Sequence, residues 1–220
     1  MIGEDDDEWG PYFSGVHSLD NWKGPYRPGV TACIPVHLPR LRGGEMDRAL
    51  HSVRNQTRPV DAISIAVDTT HAGAAATRNE ALAGVTTEWT AFLDSDDQWR
   101  SNHVEALLTA AQETGADLIY PWFTIVPGGQ DPWPEREGQP FDEKRIREVE
   151  NYIPVTVLVR TKSIKRSGGF IPKGPPENPC DDHGAWISLL NEGAKFHHLN
   201  ERTWYWWWWS GNTNGRGDVW

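Results

Sequence analysis

Three aspartates are crowded into four consecutive positions of the sequence, directly after an apolar run. The segment FLDSDDQW, residues 92–99, carries Asp94, Asp96 and Asp97 where a buried strand is predicted to end. Carboxylates about 4 Å apart repel each other by roughly 4 kcal/mol at the effective dielectric of a protein surface, so a positive partner is expected beside them. Asp94 and Asp96 could offer oxygens to a hard divalent cation such as Mg²⁺ or Mn²⁺. The alternative, that the run only caps a helix beginning near Ser101, stays open.

The composition of the chain narrows the classes of protein that it can be. Its 220 residues carry a net charge of -10, which argues against a protein that gains its affinity by neutralising the phosphates of a nucleic-acid duplex. The 13 tryptophans are far more than a soluble globular chain of this length usually has. Cys33 and Cys180 match neither a metal-binding spacing nor a dense disulfide framework, which indicates a reducing, cytoplasmic location. The acidic N-terminus and the absence of a long apolar run predict no export signal and no membrane partner.

The apolar pattern alternates between the period of strands and that of helices over the first part of the chain. Strand patterns lie at 29–36, 62–68, 87–97 and 116–123, and helix patterns lie at 45–57, 73–85 and 102–115. This order predicts an α/β fold with a mainly parallel sheet flanked by helices, which binds ligands outside the carboxyl ends of its strands. Pro35, Asp68 and Asp94 lie at or just past those predicted strand ends.

The second part of the chain is less regular. A link rich in proline and glycine leads to a charged helix near 141–150, a strand at 155–160 and a helix from Asp181 to Glu192. The Trp-rich segment 195–217 predicts a strand hairpin or an extended arm that folds back on the body. In a strand, alternate tryptophans point to opposite faces, so one face could stack on a sugar or a base while most of the indoles fill the core.

These motifs, taken in order, resemble those of the family 2 glycosyltransferases. The matching segments are ALHSVRNQTRP, AAATRNEAL, FLDSDD, VLVRTKSIKRSGGF and DDHGAWISLLNEGAKF, within roughly residues 29–213. The resemblance implies a Rossmann-like GT-A fold with a smaller C-terminal acceptor-binding part. It divides the chain into an irregular acidic N-terminal arm at 1–28, a nucleotide-sugar-binding α/β half at 29–126, and an acceptor-binding half with a Trp-rich arm at 127–220.

On the donor side, the resemblance implies a divalent cation between the protein and a nucleotide diphosphate. Asp96 would contact the Mn²⁺ or Mg²⁺ ion, which neutralises the departing diphosphate, while Asp94 would contact the ribose or a metal-bound water. Asp68 would accept the ring N–H of a pyrimidine such as uracil. Arg78 would hold that carboxylate or reach the base or the diphosphate. The remaining donor-binding residues implied are Pro35, His37 and Ser95.

On the acceptor side, the resemblance implies that Asp182 is the general base, with Asp181 beside it where the family has a glutamate. An inverting transfer needs a carboxylate that takes the proton of the acceptor hydroxyl as this oxygen attacks the anomeric carbon. The residues implied in acceptor binding are Gly168, Gly169, Phe170, Trp186, Trp207 and Trp209. It stays open that Asp181 and Asp182 only stabilise the N-terminus of a helix.

Two departures from the family pattern leave parts of the site open. Trp209 stands where the family has a histidine that often completes the metal shell. Water could take its place, and the candidate side chains are His183, His197 and His198. The loop PVHLPRLRGG after the first strand is longer than in the family, which leaves the identity of the base open. It also stays open that neither residue binds the donor: Asp68 would then only begin a turn, and Arg78 would be a solvated residue of a helix.

The sequence therefore predicts an inverting, metal-dependent glycosyltransferase that moves a sugar from a nucleotide diphosphate sugar to a hydroxyl, with a UDP-sugar favoured as donor. A protein, a glycan and a modified nucleobase all stay open as the acceptor, and nucleic acid is expected only in that last form. A non-catalytic sugar- or nucleotide-binding module on the same fold is the alternative, and Trp209 and the altered first loop favour it. A nucleotidyl transferase, which also uses strand-end carboxylates, is a third interpretation.

Overall fold

The computed structural model describes residues 28–41, 43–171 and 180–208. The strands are β1 (Val30–His37), β2 (Ala62–Asp68), β3 (Trp89–Phe92), β4 (Gln98–Trp99), β5 (Leu118–Val126), β6 (Leu158–Arg160) and β7 (Phe196–Trp207). The α-helices are α1 (Glu45–Arg54), α2 (Ala74–Ala83), α3 (His103–Thr114), α4 (Glu143–Glu148), α5 (Thr161–Arg166) and α6 (Asp181–Asn191), and short 3-10 helices cover Leu38–Leu41 and Pro134–Arg136. None of the helices in these ranges is both long and apolar enough to cross a membrane.

The strands of the described residues form one sheet in the order β2-β1-β3-β6-β5-β7-β4. β1 is parallel to β2 and β3, and β5 is parallel to β7, whereas β6 and β4 run antiparallel to their neighbours. The predicted α/β fold is confirmed, and its longest pairings are parallel, while short antiparallel pairings make the sheet mixed. The reason is the long irregular link after β5, which returns the chain so that β6 enters between β3 and β5 in the opposite direction.

Pro35 lies inside β1 rather than at its end. The pairing of β1 with β3 stops at Cys33, whose carbonyl accepts the N–H of Leu93 at 3.1 Å. Alternate residues of a strand direct their main-chain groups to the same side, so Pro35 faces the side on which β3 has already ended. Its missing N–H therefore costs no ladder bond. β1 runs on to His37, which lies opposite Asp68 at the end of β2.

Two strands are shorter than the sequence pattern indicates. β3 ends at Phe92, and the acidic residues follow in a turn that is closed by a 3.0 Å hydrogen bond from the Asp97 N–H to the Asp94 carbonyl. A strand that is buried on both faces accommodates ionised side chains only at a large cost, so the chain leaves the sheet at the first of them. The strand pattern at 155–160 is likewise reduced to the three residues of β6.

Most tryptophans of the described residues fill the core, as the sequence pattern predicts for most of the indoles. The buried ones are Trp89, Trp99, Trp122, Trp186 and Trp204. The Trp-rich segment is, as far as residue 207, the single strand β7 rather than a hairpin. β7 follows β5 along its length, and this pairing carries its C-terminal end across to the acidic turn after β3.

Candidate active site

The turn after β3 places three aspartates at the carboxyl edge of the sheet. One carboxylate oxygen from each of Asp94, Asp96 and Asp97 lies within 4.8 Å of the other two. Burial, and then the charges of Asp96 and Asp94, raise the pKa of Asp97 well above its usual range. Oδ1 of Asp97 accepts the main-chain N–H of Trp207 at 3.0 Å. The crowding that the spacing indicates is therefore present, and it is tied to the end of β7.

Arginines supply the positive charge that the crowded carboxylates need. Arg40, in the 3-10 helix after β1, contacts Asp96 at 2.6 Å between Nη1 and Oδ1, and both side chains are less than a tenth exposed. Arg48 of α1 donates to the main-chain oxygen of Asp96 at 2.8 Å and lies over the Trp207 ring, 4.0 Å from its centroid. The contacts of both arginines with Asp96 are not predicted from the sequence. Buried carboxylates are usually paired with a cationic side chain, but this rule does not predict which residue of a loop will be the partner.

Arg78 of α2 links the acidic turn to the second acidic pair. Its Nη2 lies 2.9 and 3.0 Å from the two carboxylate oxygens of Asp94, and its Nη1 lies 2.6 Å from Oδ2 of Asp181. Burial by itself would lower the pKa of Arg78, but the charges of Asp181, Asp94 and Asp182 raise it well above its usual value. The expected contact with Asp68 is wrong, and so is the solvated alternative, because two other carboxylates take the buried guanidinium. A contact of Arg78 with the base or the diphosphate stays a prediction.

Asp68 ends β2 and is held by the turn that follows it. Its Oδ1 accepts the N–H groups of Thr70 and Ala72 at 3.2 and 2.9 Å, and its Oδ2 accepts that of Gly73 at 2.9 Å. Burial by itself would raise the pKa of Asp68, but the hydrogen bonds from these N–H groups together lower it below its usual value. An ionised carboxylate has about four acceptor positions, so one is left for the ring N–H of a base.

His37, Pro35 and Ser95 lie close to these carboxylates. His37 faces Asp68 across the β1–β2 pairing, and Pro35 lies two residues earlier in β1. Burial, and then the charge of Arg40, lower the pKa of His37, so its imidazole is neutral at neutral pH and suited to stacking on a base. The hydroxyl of Ser95, inside the acidic turn, is buried and has no hydrogen-bond partner among the described residues. A buried hydroxyl without a partner is costly, which is consistent with a ligand that completes this turn.

The second acidic pair begins α6. Asp181 is the residue that pairs with Arg78, whereas Asp182 accepts the Cys180 thiol at 3.0 Å and the His183 N–H at 2.7 Å. Burial, and then the charge of Asp181, raise the pKa of Asp182. Both hydrogen bonds fall on Oδ1 of Asp182, so in the described part of the chain Oδ2 keeps its lone pairs for a substrate. The two neighbouring aspartates at the start of α6 thus have different partners.

The Gly-Gly-Phe turn after α5 is clamped by an asparagine that sequence reasoning does not single out. Asn79 donates to the Phe170 carbonyl and accepts the Phe170 N–H, both at 2.8 Å. Gly168 and Gly169 have φ of +94° and +73°, and a Cβ at Gly169 would lie 2.2 Å from the Asn79 side chain. Glycine is therefore required for the turn itself. The sequence signal for this contact is the Arg-Asn pair of α2, in which Asn79 directly follows Arg78.

The expected acceptor contacts of Trp186 and Phe170 are corrected by their burial. Trp186 is fully buried and donates its Nε1–H to the Ile153 carbonyl at 3.0 Å. Phe170 is 2% exposed and packs edge-on against Trp186 and against Phe92. Both rings belong to the apolar wall behind the acidic residues, because the helix face that carries Trp186 points into the core. Acceptor contacts of Gly168, Gly169 and the half-buried Trp207 stay predictions, and Trp209 lies outside the described residues.

The three candidate histidines do not join the acidic turn. Nε2 of His183 lies 2.6 Å from the Ile146 carbonyl, and Nδ1 of His198 lies 2.7 Å from the Gln139 carbonyl. His197 lines a separate cavity beside α3, together with Thr114 and Phe141. Among the described residues, the group of side chains placed to hold a metal ion consists of the three aspartates alone. The remaining ligands of a metal ion at this turn would therefore be water or substrate oxygens.

The donor set of the acidic turn fits a hard divalent cation. Asp94 and Asp96 offer carboxylate oxygens, and the unpartnered Ser95 hydroxyl lies between them in sequence. Oxygen ligands of this kind suit Mg²⁺ and Mn²⁺. Arg40 and Arg78 pair with the same carboxylates, so a cation would share or replace those ion pairs.

The sequence is similar to glycosyltransferases. Residues 63–168 match the family model described as glycosyl transferase family 2. A curated relative, the putative teichuronic acid biosynthesis glycosyltransferase TuaG of Bacillus subtilis (strain 168), is 27% identical over 137 residues, which are 60% of this chain and 51% of the relative. The chain thus spans about half the length of that relative.

The fold is similar to that of solved glycosyltransferase structures. S. aureus TarS 1-349 in complex with UDP-GlcNAc gives a TM-score of 0.66 at 15% identity, over 84% of this chain and 60% of that one. The same protein in complex with UDP gives a TM-score of 0.62 at 16% identity, over 83% and 61%. These structures confirm the GT-A class of fold. The sequence matches confirm the resemblance to family 2 glycosyltransferases that the motifs indicate.

Proposed function

We propose that the chain transfers a sugar from a UDP-sugar to a hydroxyl group, with inversion at the anomeric carbon. The observation that carries this proposal is the bridge from Asp94 through Arg78 to Asp181. It brings the strand-end carboxylates and the carboxylates of α6 into one site. The bound UDP and UDP-GlcNAc of the TarS structures support a uridine donor. The proposal also divides the chain into a donor half at 29–126 and an acceptor half at 127–220, which meet at this bridge.

The donor half binds the nucleotide mainly through its strand-end carboxylates. Asp68 accepts the ring N–H of uracil, and His37 stacks on the base. Asp94 and Asp96 hold a Mg²⁺ or Mn²⁺ ion, which when bound neutralises the charge that develops on the departing diphosphate. Arg78 keeps the Asp94 carboxylate in a fixed orientation from the side of α2. The donor is thereby oriented with its anomeric carbon towards α6.

The acceptor half supplies the base. Oδ2 of Asp182 takes the proton of the acceptor hydroxyl while the acceptor oxygen bonds to the anomeric carbon and the bond from that carbon to the diphosphate oxygen breaks. UDP leaves with the bonding electrons, and the sugar is inverted because the two oxygens lie on opposite faces of the ring. The raised pKa of Asp182 makes its carboxylate a better proton acceptor than an ordinary aspartate. Asp181, beside it, pairs with Arg78.

A glycan hydroxyl is the acceptor that the comparisons favour. The curated relative is named a putative teichuronic acid biosynthesis glycosyltransferase, and this name supports a glycan acceptor. A hydroxyl on a protein or on a modified nucleobase needs the same base and the same donor. The class of acceptor therefore changes the surroundings of α6 and leaves the roles of Asp182 and Asp94 as they are.

A screen of UDP- and GDP-sugars tests the proposal. Release of nucleoside diphosphate is measured with Mn²⁺ for the wild-type protein and for Asp182→Asn, in the presence of water or of candidate glycans. We expect turnover with a UDP-sugar that the substitution abolishes, while UDP binding stays intact. Tight binding of UDP or sugar without turnover of any donor would instead support the non-catalytic module.

A further inference from the structure

The loop between β1 and α1 places a buried arginine side chain against the carboxylate that is proposed to hold the metal ion. Arg40 lies in the 3-10 helix that directly follows β1, and it is 7% exposed. Its Nη1 contacts Oδ1 of Asp96 at 2.6 Å. This loop starts at the carboxyl edge of the sheet, where ligands of open α/β sheets bind. The guanidinium therefore lies at the proposed donor site.

A metal ion and Arg40 compete for the same carboxylate. A divalent cation on Asp96 would lie within a few ångströms of the guanidinium, and like charges at that separation repel strongly in a buried site. Arg48 donates to the main-chain oxygen of Asp96 at 2.8 Å, which helps to hold the backbone of Asp96 in place when Arg40 leaves. Binding of the cation thus favours displacement of the Arg40 side chain.

The three arginines around the turn differ in how firmly they are held. Arg78 is fixed by Asp94 and Asp181 together, and Arg48 is fixed by a main-chain carbonyl and by the Trp207 ring. Arg40 stands on a single 3-10 turn of four residues. Because Arg40 lies outside the strands and α-helices, a move of its guanidinium from one anion to another would leave the backbone of those elements in place. The nearest anion in the proposed complex is the diphosphate, and a guanidinium matches phosphate oxygens in a two-pronged geometry.

We propose that Arg40 neutralises Asp96 in the absence of ligands, leaves it when a divalent cation binds, and then donates to the diphosphate of the donor. This inference rests on the proposed function, because it assumes a nucleotide diphosphate at the site. It gives Arg40 two opposite effects. Arg40 weakens binding of the cation to the ligand-free protein, and it strengthens binding of UDP to the cation-loaded protein.

The test measures these two effects separately. Mn²⁺ binding to the protein without nucleotide is followed by the electron paramagnetic resonance signal of free Mn²⁺, and UDP binding is measured by calorimetry at saturating Mn²⁺. In Arg40→Gln we expect the Kd for Mn²⁺ to fall about tenfold and the Kd for UDP to rise about tenfold, which is within the usual range of coupling between sites. Unchanged values of both constants would overturn the proposal, and so would a change in Mn²⁺ affinity alone.

Two further variants keep the test decisive. Arg40→Lys retains the positive charge but not the planar guanidinium, so we expect wild-type Mn²⁺ affinity and weakened UDP binding. If this variant binds both Mn²⁺ and UDP as the wild-type protein does, the proposal is contradicted, even if Arg40→Gln fails to fold. The matched control is Arg58→Gln, which breaks a partly buried pair with Asp61 at the opposite end of the sheet, and it should leave both constants unchanged. Wild-type protein that binds no UDP at all would refute the proposed function, whereas normal UDP binding that ignores Arg40 would refute only this inference.

Discussion

The acidic turn after β3 and the acidic start of α6 use the same side chain in different surroundings. Asp94 and Asp96 each contact an arginine. Asp182 accepts a thiol and a main-chain N–H instead, and its pKa is raised by burial and by Asp181. The difference teaches that the neighbours of a carboxylate set its role: charge-paired ones hold a cation or a nucleotide, and a desolvated one accepts a proton.

The largest effect should come from removing the base. Asp182→Asn keeps the shape of the side chain and abolishes its basicity, so we expect kcat to fall about 10³-fold, within the range for general bases. Calorimetry should show that the variant binds UDP with Mn²⁺ as the wild-type protein does. A variant that loses UDP binding but keeps its kcat would assign Asp182 to the donor side and would erase the distinction between the two acidic groups.

The same substitution in the acidic turn should change a different quantity. In Asp96→Asn the amide is a poorer ligand for a hard cation, so we expect UDP affinity at saturating Mn²⁺ to fall about 10- to 100-fold. UDP affinity measured with a chelator should differ much less between the two proteins. If the loss is equally large with and without Mn²⁺, the role of Asp96 is not to hold a cation.

The bridge between the two groups should appear as stability. Arg78→Met leaves two partly buried carboxylates without their shared, buried cation, and removal of one partner from a buried network typically costs about 3 kcal/mol or more. Urea unfolding at neutral pH measures this change in the free energy of unfolding. Adding Asp94→Asn to the same variant should recover part of the loss, since one unpaired charge is then removed. A single variant as stable as the wild-type protein would show that the bridge does not hold the halves together.

The smallest expected effect concerns the pH dependence of the reaction. Asp182 acts only when it is deprotonated, and its pKa is raised, so kcat/KM should decline on acidification at a higher pH than an aspartate with the ordinary pKa of about 4 would produce. The Cys180 thiol donates to the ionised form and lowers this pKa, so Cys180→Ala should move the acid limb to higher pH. Cys180→Ser keeps a donor and is the control. A profile that is the same for all three proteins would contradict the assignment of the limb to Asp182.

Several parts of the site follow from sequence because strand ends meet at one edge of a sheet. Asp68 and Asp94 end or follow neighbouring strand patterns, and α6 begins at Asp181 as its pattern predicts. The partner of Arg78 does not follow, because it depends on how α2 packs against α6. The pairing of Arg40 with Asp96 depends on the shape of an irregular loop, for which no periodic pattern exists.

The acceptor residues were harder to predict for a different reason. A motif tells which residue types occur together, but it does not separate a ring that binds a ligand from one that lines the wall behind it. Trp186 and Phe170 stand at the expected motif positions and are buried, since the turn and the helix that carry them face the core. Trp207 follows an alternation that sequence does show, and its main chain meets Asp97 through the pairing of β7 with β5, which sequence does not show.

The configuration of the first product tests the central claim most directly. Hydrolysis or transfer from an α-linked UDP-sugar is followed by proton NMR, in which the two anomers of the released or transferred sugar have distinct signals. Direct displacement with Asp182 as base predicts that the β anomer appears first and that the α anomer of a free sugar grows only by slow equilibration. An α anomer as the first product would mean that the sugar passes through a second displacement, and the roles assigned here to the two acidic groups would be wrong.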